Sequence, residues 1–103
     1  MNNNNKELWR PVCGYPNYEV SNHGHVYSKK RRHYISSTVN NNGFLQVGLY
    51  RNGHKKNVNI DNLVCIAFHG PPCDYFECYK VVHIDRNHQN NHASNLRWLT
   101  MCK

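Results

Sequence analysis

Alternating apolar and polar residues predict three β-hairpins along this chain. The first spans Gly14–Ser28 and turns at Asn22-His23-Gly24, because strand-forming residues flank a group of turn-forming ones. The second spans Leu45–Ile60, and its Asn52-Gly53 fits the type I′ turn that joins two strands directly. The third spans Tyr79–Leu99 and contains a long polar connection between its strands. The pattern therefore predicts a fold rich in β-structure.

One short helix is predicted between the second and third hairpins. Asp61 is a suitable N-cap for the apolar run Asn62–Phe68, and Gly70 with Pro71-Pro72 ends it. We expect its core side chains to be Leu63, Ile66 and Ala67 or Phe68. Thr100 is an N-cap for a further helix, of which residues 101–103 supply less than one turn. The predicted fold class is α+β, with more strand and loop than helix.

The composition narrows the class of protein. A chain of 103 residues forms one small domain, or two small modules that share little core. Seventeen asparagines favour turns and a loop-rich structure. The start of the chain is polar and five cysteines is an odd number, so we expect an intracellular, reducing location and no secretion. Since no apolar run approaches the roughly 18 residues of a membrane span, we expect no membrane association.

The charge balance indicates a polyanionic partner. The sequence has 13 Lys and Arg against 6 Asp and Glu, a formal net charge of +7. Nucleic acid is the leading candidate partner for such a balance; the alternative is charge that serves solubility alone. The residues predicted to contact DNA are Lys29, Lys30, Arg31, Arg32, Arg51, Lys55, Lys56 and Arg97.

His83 is the candidate general base, because histidine has an unperturbed pKa near neutrality. It ends an apolar strand beside a polar connection. The alternative is a half-buried histidine bonded to a turn.

A zinc site is a weaker hypothesis: Cys73 and Cys78 form one loose pair, and no second compact pair is defined. The residues that could complete it are His69, His83, His88, His92 and Cys102. A Ser or Cys nucleophile is disfavoured, since no strained Gly-flanked elbow is present.

Four segments in this order resemble a known family. They are "GYPNYEVSNHGHVYS", "GFLQVGLYRNGHKKNV", "NLVCIAF" and "VVHIDRNHQNNHASNLRWLT", and the resemblance that they carry extends over about residues 9–103. The set resembles HNH homing endonucleases with an N-terminal NUMOD-type module, which are common in phages and large DNA viruses. Residues 1–8 are predicted to be a disordered tail, and the resemblance implies a NUMOD-like β module at residues 9–58 and an HNH-like finger at residues 59–103.

The resemblance also implies a ββα-metal nuclease site. His83 would deprotonate the attacking water, and Asn95 would fix the hairpin and orient that histidine. Asn87, Asn90 and Asn91 would shape the connection. A divalent cation, commonly Mg²⁺, would stabilise the charge that develops on the phosphate.

Two departures from the family pattern concern this metal. Val82 occupies a position that often holds a metal-binding Asp or Asn, and its side chain cannot coordinate a cation. The second ligand position falls at about residue 104, one residue past Lys103, so we expect a truncated final helix. Asp85 is a weak substitute ligand. Two hypotheses follow: an HNH endonuclease, of full or impaired activity, or a catalytically inactive DNA-binding remnant of one.

Overall fold

A computed structural model describes residues 6–70 and 79–100, and these residues form three antiparallel sheets and one α-helix. The first sheet has the order β1-β2-β3-β4, with β1 at Trp9–Val12, β2 at Tyr15–Ser21, β3 at Val26–Ser28 and β4 at His33–Tyr34. The second contains β5 (Thr38–Val39), β6 (Leu45–Arg51) and β7 (His54–Asn59). Helix α1 spans Ile60–His69. The third sheet pairs β8 (Tyr79–His83) with β9 (Leu96–Thr100), and the short 3-10 helix Ala93–Asn95 precedes β9.

The three predicted hairpins are present, and together with α1 they give a mostly β structure with one helix. Strands β2 and β3 form the first hairpin, β6 and β7 the second, and β8 and β9 the third. At the turn of the second, Asn52 and Gly53 have φ values of 55° and 78°, as a type I′ turn requires. Strands β1, β4 and β5 are short additions that the alternation pattern did not predict.

A single apolar cluster joins all three sheets to the helix. Its buried members are Val12, Tyr18, Val20, Val26, Val47, Leu49, Ile60, Val64, Cys65 and Leu96. The Tyr18 hydroxyl also accepts a hydrogen bond from the backbone N–H of Tyr50 at 3.0 Å, which links the first sheet to the second. Of the two arrangements that the chain length allows, the described residues therefore form the one with a shared core.

Helix α1 begins two residues before its predicted start, and Asp61 is not its N-cap. The N-cap is Asn59, which makes no side-chain capping hydrogen bond. The buried residues of the helix are Ile60, Asp61, Val64 and Cys65. Leu63, Ala67 and Phe68 pack only partly buried against the core, and Ile66 is likewise half-buried. The earlier start rotates the buried face, so that it includes Asp61.

Near both ends of the chain, the conformation of the described residues differs from the one predicted from the sequence. Residues 6–8 belong to the predicted disordered tail, yet they lie against the β2–β3 turn. Asn22 accepts a hydrogen bond from the Leu8 N–H at 2.8 Å and donates one to the Lys6 carbonyl at 3.1 Å. Thr100 closes β9 instead of starting a helix; the rest of the predicted final helix, residues 101–103, lies outside the described residues. Within the described part of the chain there is no helix with the length and apolar character that crossing a bilayer requires.

Candidate functional site

His83 lies at the end of β8, where the strand passes into the connection of the third hairpin. It pairs with Leu96 of β9, which is 2% exposed and belongs to the apolar core. The ladder between the two strands runs without a shift from Tyr79–Thr100 to His83–Leu96, so the backbone fixes the position of His83. Its side chain is only 2% exposed. A buried imidazole needs partners for its polar nitrogens.

Asn95 fixes the connection between β8 and β9. Its Oδ1 accepts a hydrogen bond from the Asp85 N–H at 3.0 Å, and its Nδ2 donates to Asp85 Oδ1 at 3.0 Å and to the Asn90 carbonyl at 2.9 Å. Asn90 Nδ2 donates to Asp85 Oδ2 at 2.8 Å. This last bond is the largest of the hydrogen bonds that lower the pKa of Asp85, because they favour its carboxylate form. Three polar side chains thus hold the loop in one shape.

Asn91 is the hydrogen-bond partner of the His83 ring. Its Oδ1 lies 3.0 Å from His83 Nε2, and both residues are buried. Gly24 of the β2–β3 turn abuts Asn91: a Cβ at Gly24, where φ is +90°, would lie 3.0 Å from Asn91 Cβ. Asn95 was expected to orient the ring. It fixes the hairpin, but the ring contact belongs to Asn91, one of the residues expected only to shape the loop.

Asp61, which was predicted to be the N-cap of the helix, also faces His83. Its Oδ2 lies 3.8 Å from His83 Nε2, and its side chain is 6% exposed. Asp61 Oδ1 has no hydrogen-bond partner among the described residues. Burial raises the pKa of the Asp61 carboxyl, and the positive charge that His83 can carry opposes this rise. One signal could have indicated its location: Asp61 precedes Val64 and Cys65 by three and four residues, the spacing of one helix face.

Phe44 and His88 cover the ring of His83. Their ring centroids lie 5.9 and 5.5 Å from that of His83, and they stack on each other at 4.4 Å with an angle of 7° between the planes. Phe44 precedes β6 and is half-buried, whereas His88 is exposed in the connection. An aromatic pair of this kind contributes about 1 kcal/mol. Together the two rings shield His83, whose side chain is 2% exposed.

The predicted DNA-contacting residues are all exposed, and three of them line one cleft. Lys30, Arg31 and Arg51 border a cleft of about 520 Å³ whose walls include Tyr15 and Tyr50. The Lys29–Arg32 segment is held by side chains of the first sheet. The Lys30 N–H donates to Asn17 Oδ1 at 2.7 Å, and the Arg31 N–H donates to Ser28 Oγ at 3.2 Å.

The other predicted contacts are arranged differently. Lys55 lines a neighbouring cleft with Arg31. Arg97 lies on β9, in another sheet. The guanidinium of Arg51 already donates to the Gly14 carbonyl at 2.7 Å and lies 4.8 Å from the Tyr15 ring centre. Arg51 therefore connects the first two sheets, and only its remaining donors can meet a phosphate.

The described residues around His83 do not fit a divalent cation. Val82 offers no ligand atom, and both Asp85 oxygens accept hydrogen bonds that hold the loop. The Asp61 side chain is only 6% exposed, so it offers little surface to a hydrated cation such as Mg²⁺.

Among the candidate ligands of the disfavoured zinc site, the paired cysteines fall outside the residues that the structure describes, and one histidine has another partner. His69 Nε2 donates to the Ala93 carbonyl at 2.7 Å, and Cys73, Cys78 and Cys102 lie outside the described residues. Among the residues in view, one group of three potential ligands comes together: Glu7, His23 and His25, none of which was a predicted zinc ligand. Burial, with a contribution from Asp61, raises the pKa of the Cys65 thiol to about 12, so this thiol is unreactive at neutral pH.

Three comparisons with known proteins indicate the relatives of this chain. The NUMOD4 motif matches residues 7–50. DNA endonuclease I-HmuI of Bacillus phage SP01 is 37% identical over 94 residues, which are 89% of this chain and 52% of that protein. The solved structure described as DNA binding and cleavage by the HNH homing endonuclease I-HmuI matches with a TM-score of 0.80 at 36% identity, over 90% of this chain and 52% of that one. This chain carries a NUMOD4 motif and is a homologue of HNH homing endonucleases.

A second viral relative extends the homology. The uncharacterized HNH endonuclease L245 of Acanthamoeba polyphaga mimivirus is 34% identical over 90 residues, or 87% of this chain and 26% of that protein. The chain thus spans about half the length of the phage relative and about a quarter of the mimivirus one. The predicted resemblance to HNH homing endonucleases with a NUMOD-type module is confirmed.

Proposed function

We propose that this chain binds DNA and hydrolyses its phosphodiester bonds, with His83 as the general base. The observation that carries the proposal is the fixed imidazole: His83 ends a strand, and its Nε2 is bonded to Asn91 Oδ1 at 3.0 Å. That bond occupies one nitrogen of the ring, and when Nε2 carries the hydrogen, Nδ1 is the nitrogen that takes a proton. The homology to a phage protein named as a DNA endonuclease supports the same reaction class.

The chemistry assigned to His83 is proton abstraction from water. As the water oxygen bonds to phosphorus, its proton passes to Nδ1, and the leaving sugar oxygen departs with the electrons of the broken bond. A base held in one orientation contributes about 10²–10⁴-fold to such a reaction. Because the ring is 2% exposed beneath Phe44 and His88, DNA or water must displace this aromatic pair first.

In the same proposal, β8, β9 and their connection form the two-stranded part of a ββα-metal finger within residues 59–103. The NUMOD-like module at residues 9–58 supplies the basic surface beside the clefts of the first two sheets. HNH endonucleases typically use a divalent metal ion. The described residues do not fit such an ion, so no metal-binding role is assigned to Asn91 or Asn95. Asn91 positions the His83 ring, and Asn95 holds the β8–β9 connection.

DNA binding by the basic surface has a measurable signature. If about five of the eight predicted cations meet phosphates, the logarithm of the binding constant falls against the logarithm of salt concentration with a slope of about −4 to −5. Lys30 and Arg31 line the same aromatic-walled cleft, so the double substitution Lys30→Ala/Arg31→Ala should reduce the slope by about 2.

A plasmid-nicking assay with Mg²⁺ or Mn²⁺ tests the proposed catalysis. We expect nicking by the wild type and a rate about 10²–10⁴-fold lower in His83→Ala. His54→Ala is the matched control, since His54 is an exposed histidine at the turn of β6 and β7. Equal nicking rates for wild type and His83→Ala would remove His83 from the reaction.

A catalytically inactive DNA-binding remnant is the second candidate function. Two observations favour it: the side chain of His83 is almost completely enclosed, and the described residues around it do not fit a divalent cation. In that case neither the wild type nor His83→Ala nicks DNA, while salt-sensitive binding persists. Absence of DNA binding at low salt would contradict both candidates.

A further inference from the structure

Two oxygen-bearing side chains face the same ring nitrogen of His83. Asn91 Oδ1 lies 3.0 Å from Nε2, within hydrogen-bonding distance. Asp61 Oδ2 lies 3.8 Å from the same atom, too far for a direct hydrogen bond but close enough for a strong electrostatic interaction in a buried site. These two residues come from different parts of the chain, Asp61 from the first turn of α1 and Asn91 from the β8–β9 connection.

Asn91 alone does not determine which nitrogen of His83 carries the proton. A side-chain amide presents an oxygen that accepts and a nitrogen that donates, and it exchanges them by a half-turn. With its oxygen towards the ring, Asn91 bonds a protonated Nε2; with its nitrogen towards the ring, it bonds an unprotonated one. The two arrangements place the basic lone pair on different nitrogens of the ring.

Asp61 removes this ambiguity, because a carboxylate only accepts. Its negative charge favours an N–H on Nε2 and disfavours a lone pair there. It also favours the Asn91 orientation that turns the amide oxygen to the ring. The position of Asp61 in the first turn of α1 supports its ionised form, since the N-terminal end of a helix stabilises negative charge.

We propose that Asp61 is a positioning residue for His83, which holds the proton on Nε2 and leaves Nδ1 as the proton acceptor. The role of Nδ1 as proton acceptor in catalysis rests on the proposed function, whereas the effect of Asp61 on the His83 tautomer does not. Among the described residues Asp61 Oδ1 has no hydrogen-bond partner, which fits this role. A buried carboxylate with an unsatisfied oxygen destabilises a fold, and a carboxylate retained for packing alone would be expected to bond both oxygens.

Nitrogen-15 NMR of the histidine rings tests the proposal directly in the full chain. The His83 signals are assigned by their loss in His83→Gln. We expect the Nε2–H tautomer to dominate in the wild type, a mixture or the Nδ1–H tautomer in Asp61→Asn, and restoration in Asp61→Glu. Asn62→Ala, at the next and exposed helix position, is the control that should leave the signals unchanged. The same tautomer in the wild type and Asp61→Asn would overturn the proposal.

The nicking assay separates this inference from the proposed function. If the wild type nicks DNA, we expect a rate about tenfold or more lower in Asp61→Asn, by analogy with other residues that orient a functional histidine, with DNA affinity unchanged. If the wild type does not nick while the tautomer responds to Asp61→Asn, the inference stands and the proposed catalysis fails. If the wild type and Asp61→Asn nick equally and share a tautomer, the inference fails and the proposed catalysis stands.

Discussion

The β6–β7 hairpin and the β8–β9 hairpin reach similar strand pairing by different means. In the first, a two-residue turn at Asn52-Gly53 joins six paired positions, from Gln46–Asn59 to Arg51–His54. In the second, five paired positions are joined by a connection that begins at Ile84 and ends at Asn95. Backbone hydrogen bonds and positive φ values are enough for the first. The second requires hydrogen bonds from individual side chains.

The interiors of the two hairpins differ in the same way. The β6–β7 hairpin contributes Val47 and Leu49 to the apolar core, both at most 2% exposed. The β8–β9 hairpin contributes Leu96 and three buried polar residues, His83, Asn91 and Asn95. Apolar packing tolerates exchange among residues of similar volume, whereas loss of one member of a buried polar group leaves its partners unsatisfied. The first hairpin thus stabilises the fold, and the second holds the candidate site.

The largest predicted effect tests where the core contribution lies. Leu49→Ala should lower the free energy of unfolding by about 3 kcal/mol, because Leu49 is fully buried and its truncation leaves a cavity. Leu99→Ala, on β9, should lower it by less than about 1 kcal/mol, since Leu99 is 37% exposed. Urea denaturation measures both. Equal losses would mean that the difference in exposure between these two positions does not decide the cost of truncation.

The second prediction compares an asparagine that holds a loop by side-chain hydrogen bonds with one that occupies a tight turn. Asn95→Ala should lower the free energy of unfolding by about 2 kcal/mol, because three hydrogen bonds to Asp85 and Asn90 are lost in a largely buried place. Asn52→Gly is the matched control, with an expected change within about 0.5 kcal/mol, since glycine adopts a φ of 55° easily. A neutral Asn95→Ala would show that the backbone alone holds the β8–β9 connection.

The same contrast explains what the sequence could predict. The hairpins follow from local patterns, apolar alternation and turn residues such as Asn52-Gly53, so their positions were predictable. The placement of His83 at the end of a strand, beside a polar connection, was predictable from the same alternation. The pairing of His83 with Asn91, the approach of Asp61, and the abutment of Gly24 on Asn91 depend on contacts between segments far apart in the chain. No local pattern carries that information, and the phase of α1 was misjudged because Asp61 was assumed to cap it.

The third and smallest predicted effect concerns the stability cost of the buried carboxylate. Asp61→Asn should raise the free energy of unfolding by about 1 kcal/mol at pH 7, because a neutral amide replaces an enclosed carboxylate, one oxygen of which has no partner among the described residues. Asn62→Ala, exposed in the same turn, should change it little. Urea denaturation of the three proteins across pH gives the comparison.

The pH dependence of this difference has a definite sign. Burial raises the pKa of Asp61 in the folded state above its unfolded value, so over the interval between them the folded chain binds more protons than the unfolded one. Stability from this group therefore falls as the pH rises through that interval and is fully retained below it. The gain from Asp61→Asn should accordingly be present at pH 7 and shrink as the pH falls towards the unfolded pKa of aspartate. If the increase in the free energy of unfolding caused by Asp61→Asn instead grew as the pH fell, the Asp61 carboxylate would stabilise the fold. The polar interior of the β8–β9 hairpin would then be maintained at no cost to stability.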